Sequence, residues 1–137
     1  WIDDDIIIMN HNINIRNIIN ENPFENILIS DNAGIGKWNL NCGIFICKNN
    51  VKTKNILKEI WDTAREEHYF NGVWENDTME LYYKNSSENI KIIPHRKLQS
   101  FKHIYEDGDL SIHLAGIHDL NKRIKVRDEY LSKIKSI

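Results

Sequence analysis

The sequence holds few of the residues that mark several classes of protein. It has two cysteines and two prolines among 137 residues, which is too little cysteine for a disulfide scaffold. A formal net charge of −2 argues against a general nucleic-acid binder, which would carry a basic face. No apolar run approaches the ~20 residues of a membrane span, and no signal peptide is recognisable. The length and composition therefore predict one globular domain or part of one. Because the chain begins with Trp1 rather than Met, we expect it to belong to a longer protein.

Hydrophobic periodicity divides the chain into strands that alternate with helices. This order predicts a layered α/β fold. The predicted strands are 1–9, 27–30, 41–47, 90–93 and 110–114, and the predicted helices are 13–20, 51–67, 74–83 and 119–137. Within one strand, Cys42 and Cys47 are predicted to be free thiols that face opposite sides.

Three consecutive carboxylates, Asp3, Asp4 and Asp5, stand between apolar residues at the start of the chain. Burying them without partners would be costly, so they must lie at a strand end, meet cations or bind a metal. In an extended chain Asp3 and Asp5 project to one face and Asp4 to the other. Two carboxylates on one face suit Mg²⁺ or Mn²⁺. The alternative is a solvated acidic turn between two strands.

A second group of polar residues lies far along the chain, in the segment 108–116. Its sequence is Gly-Asp-Leu-Ser-Ile-His-Leu-Ala-Gly, which predicts a turn, a short strand and then small residues. His113 falls near the carboxyl end of that strand, where ligands gather in α/β sheets. The alternative is a histidine that only completes the core or an edge of the sheet.

Four segments, in order, carry a resemblance to a known family. Their sequences are Trp-Ile-Asp-Asp-Asp at 1–5, Leu-Asn-Cys-Gly-Ile-Phe-Ile at 40–46, Trp-Glu-Asn-Asp at 74–77, and the segment 108–116. They look like an Asp-x-Asp strand, an Asn-Ser/Thr-Gly strand, an acidic/amide helix start and a Gly-Asp…His-Phe-Ala-Gly segment. The chain thereby resembles the metal-dependent, nucleotide-sugar-using glycosyltransferases of GT-A fold. Among these it resembles the retaining family 34 of galactosyl-, mannosyl- and xylosyltransferases.

The resemblance implies a Rossmann-like α/β fold with a site for Mn²⁺ or Mg²⁺. Asp3 and Asp5 would match the Asp-x-Asp pair that holds the metal and the donor's diphosphate and ribose. His113 would complete the metal site. Asn41 and Gly43 would line the sugar or acceptor pocket, where the glycine allows close backbone approach.

The same resemblance places Glu75, Asn76 and Asp77 beside the reacting carbon, as candidate catalytic residues. Their alternative role is helix capping, since acidic residues in a first turn favour the helix dipole. The choice between a covalent and a front-face retaining mechanism stays open.

Related enzymes often carry a lysine a few residues after the histidine to steady the diphosphate, and this chain departs from that pattern. After Gly116 it has His118, and the first cations are Lys122 and Arg123. Either the final helix supplies the missing cation, as Lys122 or Arg123, or His118 substitutes for it. The alternative is a solvated basic face.

The implied activity is transfer of a hexose or pentose from a UDP- or GDP-sugar to a glycan or other hydroxyl acceptor. Residues 1–137 would form one partial domain, the C-terminal part of a GT-A fold without its nucleotide-binding half. We therefore expect the chain to be inactive alone and to expose an apolar patch around Ile6–Ile8 that has lost its parallel neighbour. The resemblance implies Golgi or secretory membranes for a full-length family member, and the cytoplasm is the alternative for a viral or bacterial one.

Three other functions are compatible with parts of this pattern. The first is a related GT-A enzyme of the glycogenin-like or lipopolysaccharide galactosyltransferase type. The second is a remnant that binds sugar without turnover. A metal phosphoesterase is disfavoured, because the sequence shows no second carboxylate/histidine cluster of the kind that two-metal sites use.

Overall fold

The computed structural model describes residues 1–64 and 74–134 of the chain. Within these ranges it is a mixed α/β fold with two three-stranded sheets, ordered β3–β2–β4 and β1–β6–β5. The strands are β1 (Ile6–Ile8), β2 (Ile27–Asp31), β3 (Leu40–Cys47), β4 (Ile90–Ile93), β5 (Ser100–Phe101) and β6 (Ser111–His113). The α-helices are α1 (Ile15–Glu21), α2 (Val51–Thr63), α3 (Trp74–Asn85) and α4 (Leu120–Leu131). None of these helices is both long and apolar enough to cross a membrane.

The β3–β2–β4 sheet carries apolar side chains on both faces. On one face Ile27 and Ile29 pack against Ile56 and Ile60 of α2 and against Met79 of α3. The opposite face meets α1 and the loops before β5 and β6, through a second cluster: Ile18, Leu28, Ile44, Ile93, Leu98 and Leu110. Burial of both faces explains why β2 reads as an unbroken apolar run rather than an alternating one.

An irregularity in β3 bends this sheet next to the first segment of the chain. Ile29 of β2 pairs with Phe45, but the next residue, Ser30, pairs with Asn41, so 42–44 form a bulge without partners on β2. Bulges of this kind re-aim the backbone and its side chains. Gly43 lies at the centre of the bulge.

The bulge also corrects the prediction for the two cysteines. Both are free thiols, as expected. However, Cys42 and Cys47 both contact the cluster between the sheet and α2, so the prediction of opposite faces is wrong. The extra residues of the bulge shift the alternation of side chains between the two positions.

The predicted first strand is in fact two extended pieces separated by a turn. Residues 1–3 run along β3, with a bridge between Ile2 and Ile44, and β1 then pairs with β6 in antiparallel register. The patch expected at Ile6–Ile8 is less exposed than predicted, because Ile7 is 9% exposed and the other two are half-buried. Within the described residues β1 pairs with β6 on one side only and lies at the edge of its sheet, so the loss of a parallel neighbour stays a prediction.

Most other predicted elements are present with shifted ends. The helix predicted over 51–67 ends at Thr63 with Ala64 as its C-cap, and 65–67 lie outside the described residues. The helix predicted over 119–137 begins after Asp119, whose carboxylate accepts a hydrogen bond from the Lys122 N–H at 2.7 Å. It ends at Leu131, and 135–137 lie outside the described ranges. The two-residue strand β5 was not predicted.

Candidate metal centre

The acidic segment crosses from one sheet to the other. On one side, the Asp3 N–H donates to the Gly43 carbonyl of β3 at 2.9 Å. On the other, the Asp5 carbonyl accepts from the Leu114 N–H, just after β6, at 2.9 Å. The turn between them therefore brings the bulge of β3 and the end of β6 to one place. Asp4 is exposed in this turn.

Asp3, Asp5 and His113 converge at this crossing, although more than a hundred positions separate His113 from the other two. One ligand atom from each residue lies within 4.8 Å of the others. The imidazole Nε2 of His113 is 3.1 Å from Asp5 Oδ1. The Phe101 ring stacks on the His113 ring with centroids 5.6 Å apart, which fixes the plane of the imidazole.

The two carboxylates differ in their electrostatic surroundings. The hydrogen bond with His113 lowers the pKa of Asp5 below its ordinary value, although burial opposes this shift. Burial raises the pKa of Asp3, against a 2.7 Å hydrogen bond from Trp1 Nε1, and the neighbouring Asp5 and Asp4 charges add to the increase. Keeping Asp3 ionised therefore lowers the free energy of unfolding. A buried group kept ionised against its surroundings is typical of a functional site.

This cost gives a testable prediction for Asp3. Because its folded-state pKa is raised, ionised Asp3 destabilises the protein at neutral pH, and the penalty disappears as pH falls below the carboxyl range. We expect Asp3→Asn to raise the melting temperature by a few degrees at pH 7, since Asn keeps the oxygen that accepts from Trp1. Solvent screening limits the size of the gain. Thermal unfolding at pH 7 measures it, and an unchanged or lower melting temperature would contradict the assignment.

Three donors of this kind fit a hard divalent cation. Carboxylate oxygens suit Mg²⁺ and Mn²⁺, and an imidazole shifts the preference toward Mn²⁺. Ligand atoms within 4.8 Å of one another can be reached by one ion at roughly 2–2.5 Å from each. Three protein ligands also leave coordination positions for a phosphate group. The residues present therefore fit the cation that the sequence predicts.

Gly43 lies against this centre because it has no side chain. A Cβ at this position would stand 2.6 Å from His113 Cε1, 2.8 Å from His113 Nδ1 and 2.6 Å from Gln99 Oε1. Asn41 holds the bulge beside it, since its Oδ1 accepts from the Gly43 N–H at 2.9 Å and from Gln99 Nε2 at 2.6 Å. Asn41 and Gly43, both predicted to bind donor or acceptor, thus border the metal-binding triad.

Among the candidate catalytic residues, Glu75 is close enough to the triad for their charges to interact. Partial burial raises the pKa of its carboxyl group, and the Asp3 charge adds to the increase. Asn76 instead accepts a hydrogen bond from the Cys42 N–H at 2.9 Å, which anchors α3 to the bulge. Asp77 accepts from Trp38 Nε1 at 2.5 Å and pairs with Lys37 at 3.1 Å. A catalytic role for the three residues stays a prediction.

A role for Gly116, His118 or Lys122 in binding the donor or acceptor stays a prediction. Gly116 occupies a left-handed turn at φ +78°, and Gly116, His118 and Lys122 are all exposed. None of these three described residues lines the cleft beside Asp5. That cleft, of about 510 Å³, lies between β1 and α4, and its polar lining consists of Asp4, Asp5, His11, Arg123 and Arg127.

The positive charge of Arg123 acts on the triad through Asp5. Its charge contributes to the low pKa of Asp5, after the His113 hydrogen bond. Its Nε donates to the Ile117 carbonyl at 2.9 Å, so the guanidinium is held toward the loop that follows β6. The sequence marked Arg123 only as one of two possible cations, because helical spacing alone does not tell which one faces the strand.

Asp109, of the Gly108-Asp109 pair, stabilises the turn before β6. Asp109 is 6% exposed and accepts from Ser100 Oγ at 2.6 Å, from the Glu106 N–H at 3.0 Å and from Arg96 Nε at 3.1 Å. These bonds satisfy a buried carboxylate and fix the start of β6. They therefore help to fix the position of His113 at the other end of β6.

Comparison with known proteins places the fold. No protein-family model matches the chain, and no curated protein matches it. It is similar to the crystal structure of a glycosyltransferase involved in the glycosylation of the major capsid of PBCV-1, with a TM-score of 0.73 and 19% sequence identity. The match covers 96% of this chain and 65% of that chain, so the chain spans about two thirds of that protein's length. The likeness shows that the two proteins share a fold.

Proposed function

We propose that the chain is the metal-binding part of a GT-A glycosyltransferase related to family 34. It would transfer a sugar, with retention, from a nucleotide diphosphate to a hydroxyl acceptor in a reaction that depends on Mn²⁺. The observation that carries the proposal is the convergence of Asp3, Asp5 and His113 within 4.8 Å. The fold shared with a glycosyltransferase supports the same conclusion.

The chain's own residues suit the departure of a nucleotide diphosphate. When bound, the cation would neutralise the charge that develops on the diphosphate, an effect worth several kcal/mol. Asp3, Asp5 and His113 would hold that cation at the junction of the two sheets. Arg123, whose charge already acts on Asp5, is the side chain best placed to add a second positive charge for the phosphates. This assigns the role left open after Gly116 to Arg123 rather than to Lys122 or His118.

The acceptor side of the proposal rests on the bulge. Gly43 lets the His113 ring and Gln99 pack directly against the bulge, and the Glu75 carboxylate lies near enough to Asp3 and His113 for their charges to act on it. A carboxylate near the anomeric carbon could serve a retaining mechanism, either as nucleophile or by stabilising an ion pair. The identity of the sugar, of the base and of the acceptor follows from parts of the site that these residues do not form.

The proposal is tested by binding of a nucleoside diphosphate. We expect the purified chain to bind UDP or GDP in the presence of Mn²⁺ and to lose this binding when the metal is chelated. Isothermal titration with and without EDTA measures it. Asp5→Asn should abolish the metal-dependent part, and Asp62→Asn, a surface carboxylate paired with Lys58, is the matched control. Binding that is absent, or independent of metal, would favour the non-catalytic remnant.

A second measurement follows turnover. With Mn²⁺ and a panel of nucleotide sugars, we expect these 137 residues alone to release little nucleoside diphosphate, because part of the donor site lies elsewhere in the proposed enzyme. Appreciable release would support glycosyl transfer and would contradict the division of the donor site.

A further inference from the structure

Two buried polar atoms lie beside Gly43 without hydrogen-bond partners. They are Gln99 Oε1 and His113 Nδ1. Gln99 is 1% exposed and His113 is 5% exposed. Both atoms lie within 2.8 Å of the point where a Gly43 Cβ would stand, so they border the same small space. Unpaired buried polar atoms are rare and call for an explanation.

The neighbouring hydrogen bonds fix which end of the Gln99 amide faces the histidine. The Gly43 backbone N–H can only donate, so the Asn41 atom that it meets at 2.9 Å must be the oxygen. That same oxygen is 2.6 Å from the Gln99 amide, which must therefore present its nitrogen. The Gln99 oxygen is left to face Gly43 and His113. The orientation thus follows from a backbone group whose chemistry is unambiguous.

We propose that Gln99 is a positioning residue that accepts a hydrogen bond from His113 Nδ1–H and so presents His113 Nε2 to the metal. An imidazole that ligates through one nitrogen needs its other nitrogen protonated and held by an acceptor. Nε2 already faces Asp5 at 3.1 Å, so the two ring nitrogens have separate tasks. The missing side chain at Gly43 provides the space in which Gln99 and His113 meet. The inference rests on the metal site of the proposed function, although the proposed hydrogen bond does not itself require the metal.

The hydrogen bond is tested in the metal-free protein by ¹⁵N NMR of the His113 ring. We expect Nδ1 to carry a proton that exchanges slowly with water in the wild type. Gln99→Met keeps the volume but removes the acceptor, and a buried N–H without an acceptor is disfavoured, so Nδ1 should lose this proton. Gln99→Glu keeps an acceptor oxygen and should retain it. An unprotonated Nδ1 in the wild type, or equal behaviour of the two variants, overturns the proposal.

Metal affinity provides the second measurement. Outer-shell partners of a ligating histidine typically change metal affinity 10–100-fold, and we expect Gln99→Met to weaken Mn²⁺ binding within that range. Leu98→Met is the matched control. Leu98 is buried and precedes Gln99 in the sequence, but its side chain packs in the apolar cluster with Leu28, Ile44 and Ile93. Unchanged affinity in folded Gln99→Met overturns the positioning role. A wild type that shows the Nδ1 proton but binds no Mn²⁺ would contradict the proposed function while the hydrogen bond stands.

Discussion

Asp5→Asn is expected to weaken Mn²⁺ binding by about 100-fold or more, beyond the range for outer-shell partners. The substitution removes one anionic ligand and also the charged acceptor of a buried imidazole, which is 3.1 Å away. Calorimetric titration with Mn²⁺ measures the loss, with Asp62→Asn as the control. An affinity within a few-fold of wild type would show that the cation, if bound, lies elsewhere.

The same substitution should also destabilise the metal-free protein, with a defined pH dependence. Because the hydrogen bond with His113 lowers the pKa of Asp5 below 3.8, ionised Asp5 stabilises the fold above the ordinary carboxyl pKa. That contribution is lost as pH falls through the lowered value. Wild type should therefore be more stable than Asp5→Asn at pH 5–7, and the two should converge near the low end of the carboxyl range. Asp3→Asn should do the opposite at neutral pH, although both substitutions remove a metal ligand.

Gly43→Ala is expected to disrupt the site through a single methyl group. Gly43 is not among the positive-φ residues of the described chain, so its backbone tolerates alanine and only space is lost. The new Cβ would meet the buried His113 ring and Gln99 at 2.6 Å. Overpacking of this kind costs about 1–3 kcal/mol, and a displaced His113 should lower Mn²⁺ affinity together with stability.

Chemical denaturation and Mn²⁺ titration of the same preparation test this prediction. Ile46→Val, a conservative change in the same strand that contacts another cluster, is the control and should keep metal affinity. A Gly43→Ala protein with wild-type affinity would show that His113 does not need the space beside the bulge.

The sequence predicted which side chains come together better than it predicted the elements that bring them together. Asp3, Asp5 and His113 were grouped because their segments resemble those of a known family, and they do converge. Metal binding by the three residues stays a prediction. The antiparallel pairing of β1 with β6 could not be predicted, because strand direction depends on contacts between positions far apart in the chain.

Gln99 shows why a positioning residue escapes notice in a sequence. It is the only glutamine of the chain, which is otherwise rich in asparagine. This difference in residue type is the one feature of the sequence that singles Gln99 out. Its place beside His113 depends on β5, a strand of two residues that no periodicity can reveal. The bulge at 42–44 was equally hidden, since a run of apolar residues with one glycine looks like a regular strand. The bulge and β5 are recognised only from strand pairing in the three-dimensional structure.

The three residues at the start of α3 have different surroundings. Asn76 accepts a hydrogen bond from β3 and Asp77 accepts one from Trp38, whereas the Glu75 charge interacts with the triad. Residue types alone could not separate these tasks, because a helix start presents three successive side chains in three directions.

The most direct test of the central claim is electron paramagnetic resonance of Mn²⁺ with the chain labelled with ¹⁵N at histidine. We expect one tightly bound Mn²⁺ per chain, with a pulsed-EPR coupling to a single imidazole nitrogen that disappears in His113→Ala. Bound Mn²⁺ without nitrogen coupling, or a coupling that survives His113→Ala, would contradict the claim that Asp3, Asp5 and His113 form one metal site.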